Sequence, residues 1–409
     1  MRVVFIYPPI SFKEKNPSSG FTPPLGALYM ASILKKRGHE VHVIDANAER
    51  FTLNQIKRKV ESINPDMVGL TCLTFTLSAC REIIAALKKN LNTYIVVGGP
   101  HISAVPPAHL RRMGADAYVI GEGESIITDL VERKPRGIIY APEIKDIDSI
   151  PFPDRSLVDH IKYGKMFGVD LWGGKATSIL TTRGCKYACT FCNRPKKQSF
   201  RSRSPRNILA ELKEIERMGY TAVEIVDDNF TNNPKNVVKL ARLIKREKLE
   251  LDFIAEGRVD AASDSLYRSM RDMGMVVVSH GVESVKPEII KWYNKTTRPE
   301  KWPAYVKKTL ELCKKYNLLC VESLIFGAPM ETKEDMQYSI DFLIKNEADF
   351  INGNILMFLV GSAIWHWGRK INKIKVTQYL STAPELGVTP YSYEELREMC
   401  NICTDYTKR

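Results

Sequence analysis

The chain has 409 residues, of which 44% are hydrophobic and 26% charged, with a net charge of +13 and nine cysteines. That length suits two or three domains with full apolar cores, and the composition excludes a disordered or fibrous chain. No stretch approaches the ~18 consecutive apolar residues of a membrane span, and residues 1–7 run into Pro8-Pro9 without a leader-peptide cleavage pattern, so a cytoplasmic protein is expected.

In chain order, residues 2–7 are an apolar run that reads as a strand. A helical periodicity over 25–37 stops at Gly38. Further strands are expected at 40–45, 67–71, 94–98 and 117–120, with helices at 54–63 and 78–89. Such alternation predicts an α/β fold: a doubly wound, Rossmann-like parallel sheet covered on both faces, over residues 1–130. Ligands of these sheets bind beyond the carboxyl ends of the strands. The loops there are Tyr7-Pro8-Pro9, Thr71-Cys72-Leu73-Thr74, Gly98-Gly99-Pro100-His101 and Gly121-Glu122-Gly123-Glu124.

Residues 131–176 read as a linker, with Pro151 and Pro153 against regular structure. A second alternating series follows. Strands are expected at 178–182, 222–227, 251–255, 276–280, 321–326 and 350–357, with helices such as 205–218, 234–245, 265–273 and 303–316 between them. Six units over 177–360 predict a partial (β/α)6 barrel with its chemistry at the carboxyl ends of the strands. Residues 361–409 read as a short, mostly helical cap.

Directly after the first barrel strand stands Arg183-Gly184-Cys185-Lys186-Tyr187-Ala188-Cys189-Thr190-Phe191-Cys192. Three thiolates at C-x3-C-x2-C suit a 4Fe–4S cluster that keeps one iron open to something besides protein. In a large intracellular chain, clustered cysteines more often bind metal or do chemistry than form disulfides.

Here the sequence resembles the radical S-adenosylmethionine (SAM) family, whose signature is C-x3-C-x-aromatic-C with Phe191 at the aromatic position. The resemblance implies that Cys185, Cys189 and Cys192 hold the cluster and that the open iron chelates SAM. A one-electron reductant of the ferredoxin or flavodoxin type would then trigger cleavage to a 5′-deoxyadenosyl radical. By the same resemblance Phe191, Asp228, Asn229, Glu256, Arg258, Glu283 and Gly327 are SAM contacts, with Glu256 toward the ribose hydroxyls and Arg258 toward the carboxylate. The loop at Gly327 departs from the common Gly-Leu-Pro-Gly-Glu-Thr wording at Ala328 and Met330. No catalytic side chain is singled out.

The N-terminal domain resembles the cobalamin-binding subfamily. This implies cobalamin contacts at Tyr7, Pro8, Thr71, Leu73, Thr74, Gly98, Gly99, His101, Gly121, Glu122 and Gly123. The Asp-x-His-x-x-Gly motif that supplies a cobalt ligand elsewhere is absent. His101 is therefore expected near the nucleotide tail, and Leu73, Thr74 and Phe75 under the lower face of the corrin.

Together the resemblances imply a cobalamin-dependent radical SAM methyltransferase, acting on an unactivated carbon through a 5′-deoxyadenosyl radical and methylcobalamin. A protein or peptide residue is the expected substrate, with methyl-coenzyme M reductase the specific expectation: an anaerobic post-translational modification. Two alternatives stay open. One is cyclisation or carbon–carbon coupling without methyl transfer, and the other a non-enzymatic cobalamin and iron–sulfur sensor or carrier. The basic run over 183–206 holds eight Lys and Arg and no acid, and it suits an acidic protein or reductant. Nucleic acid is argued against, because only Phe200 interleaves that run and no RNA-binding module follows. Cys400 and Cys403, with Cys313 and Cys320 as partners, read either as an accessory metal site or as buried thiols.

Overall fold

The structure, a computed structural model, describes residues 1–12, 22–166, 169–170, 172–193 and 199–407. Arg194, Lys196 and Lys197 of the basic run lie outside the described residues. The chain divides into two units, Met1–Ser178 and Ile179–Arg409.

The first unit is built on a parallel sheet of β1 (Arg2–Tyr7), β2 (Glu40–Asp45), β3 (Met67–Thr71), β4 (Tyr94–Gly98), β5 (Ala117–Ile120) and β6 (Gly137–Tyr140). The strand order is β2-β1-β3-β4-β5-β6. Val3, Val4, Phe5 and Ile6 are all buried. A strand covered on both faces has no solvent side, which is why its sequence is a continuous apolar run. Helices Leu25–Lys35, Leu53–Ile63 and Leu77–Asn90 supply the covering layers. The second begins in a capping box between Thr52 and Gln55 and ends on Asn64 at φ 50°, a left-handed stop. Winding reverses between β1 and β3, so the loops after these two strands flank the crevice of the switch point.

Residues 131–176 do more than connect. Helix Ile127–Arg133 and β6 extend the fold, with β6 in register from Ala117↔Gly137 to Ile120↔Tyr140. Beyond β6, Tyr163 donates its hydroxyl to Asp45 Oδ2 at 3.0 Å. Arg155, fully buried, donates to Thr177 Oγ1 at 3.1 Å and to the Ser178 carbonyl at 2.6 Å. Four residues are too short a run to show a period beside so many prolines, so a strand was hidden in an apparent linker.

A second sheet comprises β7 (Ala176–Ile179), which spans the boundary, and, in the second unit, β8 (Ala222–Ile225), β9 (Asp252–Gly257), β10 (Met275–Glu283), β11 (Leu319–Phe326) and β12 (Phe350–Ile355). They lie side by side in sequence order as an open, barrel-like sheet. Phe253, Phe326 and Trp302 fill its core. Expected strand 178–182 is split in two. Its second part, Thr182–Arg183, turns away and pairs antiparallel with Arg201–Ser202. This clasp closes the base of the cysteine loop.

The cap holds helices Ala363–Lys370 and Tyr393–Thr407 and a short antiparallel pair, Met357–Leu359 with Leu380–Thr382. The last helix lies on β12: a Cβ on Gly353 would come 2.8 Å from Cys400 Cα. Cys313, Cys320 and Cys403 are buried in the same core. Burial pushes the Cys400 thiol up to about 11 and the Cys403 thiol up to about 12, as for packed thiols. Among the described residues no helix is long and apolar enough to cross a membrane.

Gly121 ends β5 at φ 110°, and a Cβ there would run into the Ala141 carbonyl. We expect Gly121→Ala to destabilise the first unit by ~1–3 kcal/mol, as a midpoint shift in urea denaturation.

Candidate functional site

The cysteine loop is held by backbone bonds that need no ligand. Gly184 sits at φ 79°, where a Cβ would lie 2.8 Å from the Ser199 carbonyl. Thr190 N donates to the Tyr293 carbonyl at 2.8 Å and Thr190 Oγ1 to the Trp292 carbonyl at 3.3 Å. From the cap, Ile364 N donates to the Thr190 carbonyl at 3.0 Å. Asn294 Nδ2 donates to the Ala188 carbonyl at 2.9 Å. Phe191 meets Tyr293 edge-on, with ring centres 5.1 Å apart.

Cys185 and Cys189 are half-buried and Cys192 is the most open of the three. Desolvation, then the neighbouring Cys189, Asp228 and Cys185, push the Cys192 thiol up to about 11, while Lys295 pulls it down. The three sulfurs therefore share one electrostatic neighbourhood, on a loop that could offer them together to one metal group. Soft thiolates so placed fit an iron–sulfur cluster. Among the described residues no group of three or more His, Cys, Asp or Glu is gathered around a single ion.

Carboxylates ring the same mouth. Neighbouring Asp227 and Asp228 have opposite fates, because the strand end points them apart. Asp227 is buried and accepts from Thr181 N at 2.7 Å, Thr182 N at 3.0 Å and Thr181 Oγ1. Asp228 is exposed. Desolvation and then Glu283 raise the Glu256 carboxyl, with Asp228 adding and Lys295 opposing. Glu283 is buried and ion-paired with Lys295. It sits at φ 62°, where the β10–β11 register slips. A Cβ on Gly281 would lie 2.5 Å from Glu283 Oε1 and 2.8 Å from Lys295 Nζ, so only glycine leaves room for the pair. A non-glycine residue held in that region stores strain of the kind found at ligand sites. Asp228 and Glu256 are thus exposed carboxylates at the mouth, a chemistry suited to hydroxyl or ammonium groups.

Three further expected SAM contacts also bond within the protein. Asn229 is buried; its Oδ1 accepts from Thr231 N at 3.0 Å and Thr231 Oγ1 at 2.7 Å, and its Nδ2 donates to Asn232 Oδ1 at 3.1 Å. It caps a turn, a standard task for asparagine. Arg258 is gripped by both oxygens of Asp260, at 2.9 and 2.8 Å, stacks 3.6 Å above the Tyr187 ring, and aims Nη1 at Cys189 Sγ, 3.6 Å away. Its charge faces the cysteines instead of standing open for a carboxylate. Gly327, at φ 100°, packs its α-carbon toward Leu396 of the last helix and donates its N–H to Glu331. Lys295, Asp260, Tyr187 and Glu331 were not singled out from the sequence. Only Glu331, within the Gly327–Thr332 motif, and Tyr187, within the cysteine motif, carried a signal.

In the first unit the strand-end loops are tied together. Cys72 N donates to the Gly98 carbonyl at 2.8 Å, His101 N to the Cys72 carbonyl at 3.1 Å, and Gly121 N to Ser103 Oγ at 3.2 Å. Gly99, at φ 103°, would put a Cβ 2.9 Å from the Cys72 carbonyl. Gly123 lies close to Met30, whereas a Cβ on Gly98 would meet nothing nearer than 3.8 Å. His101 is buried, with Nδ1 3.0 Å from Thr74 Oγ1. Burial, then Arg81, push it down to about 4, so it is a neutral imidazole at physiological pH. Glu122 is buried too, and its Oε2 accepts from Ile144 N at 2.7 Å. It clamps the returning chain and is not an open contact. Pro8 is buried and Tyr7 half-buried beside Asp45. Thr71, Leu73 and Thr74 are half-buried and Phe75 is 45% exposed. An open apolar rim beside glycine-rich loops at a switch point fits a large flat ligand such as a corrin.

A family model of the Radical SAM superfamily matches residues 179–343, and one of the B12 binding domain matches residues 16–131. The chain is 28% identical over 430 residues to an uncharacterized methyltransferase of Pyrococcus horikoshii, covering 98% of this chain and 90% of that one. It is 27% identical over 369 residues to the anaerobic magnesium-protoporphyrin IX monomethyl ester cyclase of Rubrivivax gelatinosus, covering 82% of this chain and 64% of the cyclase. Among solved structures it is similar to the radical S-adenosylmethionine methyltransferase TsrM from Kitasatospora setae, bound to tryptophan and a SAM analogue. The TM-score is 0.71 at 19% identity, over 91% of this chain and 77% of that one.

Glu331 Oε2 accepts from Gly327 N at 2.7 Å and Ala328 N at 3.2 Å, yet burial pushes its carboxyl from 4.5 up to about 8. The folded chain then holds this proton more tightly than the unfolded one. Stability from this group is fully present below pH 4.5 and is lost as pH rises through about 8. We expect Glu331→Gln to flatten that fall, read from denaturant midpoints across pH 4.5–8.

Proposed function

The chain belongs to the B12-binding radical SAM enzymes, and on that premise we propose that it methylates an unactivated carbon. Its cofactors are a 4Fe–4S cluster, SAM and cobalamin. When bound, the cluster and SAM supply a carbon-centred radical and cobalamin supplies the methyl group. Cys185, Cys189 and Cys192 hold the cluster, and Arg258 beside Cys189 offsets thiolate charge. Asp228 and Glu256, exposed at the mouth, take the amino and ribose groups of SAM, and the Glu283–Lys295 pair fixes the wall behind them. Phe191 closes the loop against Tyr293. In the first unit Tyr7, Thr71, Leu73, Thr74, Gly98 and Phe75 line the cobalamin crevice. Pro8, Gly99, His101, Gly121, Glu122 and Gly123 shape its loops.

The observation that carries this reading is the set of three cysteines on one loop, within electrostatic reach of the carboxylates at the strand ends. Methyl transfer is supported by the methyltransferase relative that matches nearly the whole chain. The cyclase relative favours a second reading, radical cyclisation without methyl transfer. For the substrate we propose a side chain of an acidic protein, with methyl-coenzyme M reductase the first to try. The net charge of +13 supports an acidic partner, and a low-potential ferredoxin or flavodoxin suits the same surface.

Replacing Cys185, Cys189 or Cys192 by alanine should abolish reductive cleavage of SAM, measured as 5′-deoxyadenosine under anaerobic conditions. Anaerobically purified protein should bind cobalamin one to one. With SAM deuterated in its methyl group, the product should carry the labelled methyl by mass spectrometry. An unlabelled, ring-closed product would establish the second reading instead.

A further inference from the structure

Asn232 sits at the end of the short turn Phe230–Asn232, just past β8, and is 6% exposed. Both halves of its position are clamped. Lys186 from the cysteine loop donates to its carbonyl at 2.9 Å while lying 4.4 Å over the Phe200 ring. Asn229 Nδ2 donates to its Oδ1 at 3.1 Å. The same Oδ1 lies 4.0 Å from Cys185 Sγ, where it accepts from the thiol. Its Nδ2 is buried and finds no partner among the described residues. A buried amide donor left unpaired is uncommon, because burial without a hydrogen bond is unfavourable.

Ligation changes what Cys185 asks of this amide. A thiol donates; an iron-bound thiolate has no proton and only accepts. Oδ1 would then face an anion, lone pair against lone pair. The terminal amide torsion of asparagine is soft and roughly two-fold. Turning it brings Nδ2 onto sulfur. That exchanges one neutral bond from Asn229 for a charge-assisted one, roughly twice as strong. We propose that Asn232 donates an N–H···S hydrogen bond to the Cys185 corner of the cluster and raises its reduction potential. Hydrogen bonds to cluster sulfurs stabilise the more negative, reduced state. Asn232 is a positioning residue that acts through the cluster. The assignment rests on the cluster reading above.

The test is a redox titration of the reconstituted full chain, followed by the electron paramagnetic resonance signal of the reduced cluster. Asn232→Leu keeps the side-chain size and removes the donor. At a fixed poise it should lower the reduced-to-oxidised ratio about tenfold, a midpoint shift of ~59 mV to lower potential for one electron. Asn232→Gln keeps an amide and should titrate near the unmutated protein. A leucine variant that titrates with the unmutated protein, or leucine and glutamine variants shifted equally, would overturn the assignment. Should the leucine variant hold no cluster, pulsed spectroscopy decides on unmutated protein whose asparagines carry 15N in the side-chain amide. A nitrogen coupling to the reduced cluster supports the bond, and its absence sinks it. Unmutated protein that binds no iron at all would instead sink the cluster reading, a separate outcome.

Discussion

Gathering negative charge at one mouth is the constraint on which the second unit depends. Three thiols and the carboxyls of Asp228, Glu256 and Glu283 lie within electrostatic reach of one another. Burial, and then the charged neighbours, push the Cys192 thiol and the Glu256 carboxyl up. Two cations ease the arrangement. Lys295 is paired with Glu283 and lowers both Cys192 and Glu256. Arg258 is aligned by Asp260 and turned toward Cys189. Neither is a mobile surface charge: both are buried, so their effect is little screened by salt. The mouth is thus tuned to take up a cationic metal cluster and the ammonium and hydroxyl groups of a cosubstrate.

The backbone bends to keep those groups in place. Gly281 is bare so that the Glu283–Lys295 pair can close, and Glu283 accepts a left-handed φ for the same reason. Gly184 turns the chain out of the Thr182–Arg183 clasp into the cysteine loop. In the first unit, Gly99 and Gly121 serve close backbone contacts between loops, while Gly98 packs beside Val119. Strain and small residues are concentrated at strand ends, where parallel sheets bind ligands.

Much of this was legible in the sequence, for identifiable reasons. Parallel strands buried on both faces write themselves as apolar runs, so β1 to β5 and the barrel strands stood out. The cysteine motif is local and dense. What stayed hidden depends on partners far along the chain or on the pleat. β6 has only four residues among prolines. That Asp227 turns inward and Asp228 outward is a matter of strand-end geometry, since the two residues are chemically identical. Arg258 looked like a carboxylate binder because nothing local shows that Asp260 and Tyr187 already engage it. Lys295 and Asn232 belong to no motif, and their roles come from what folding sets beside them. Glu122 was legible as a loop residue, whereas His101 lies in the short helix Pro100–Ala104, and the burial of neither was legible.

The bond from Ile364 N to the Thr190 carbonyl has a consequence for biogenesis. The cysteine loop lies near the middle of the chain, yet one of its clamps comes from the cap. While the polypeptide is still emerging from the ribosome, the loop has its thiols but lacks that clamp. Metal loading is therefore expected to be favoured once the cap has folded onto the loop.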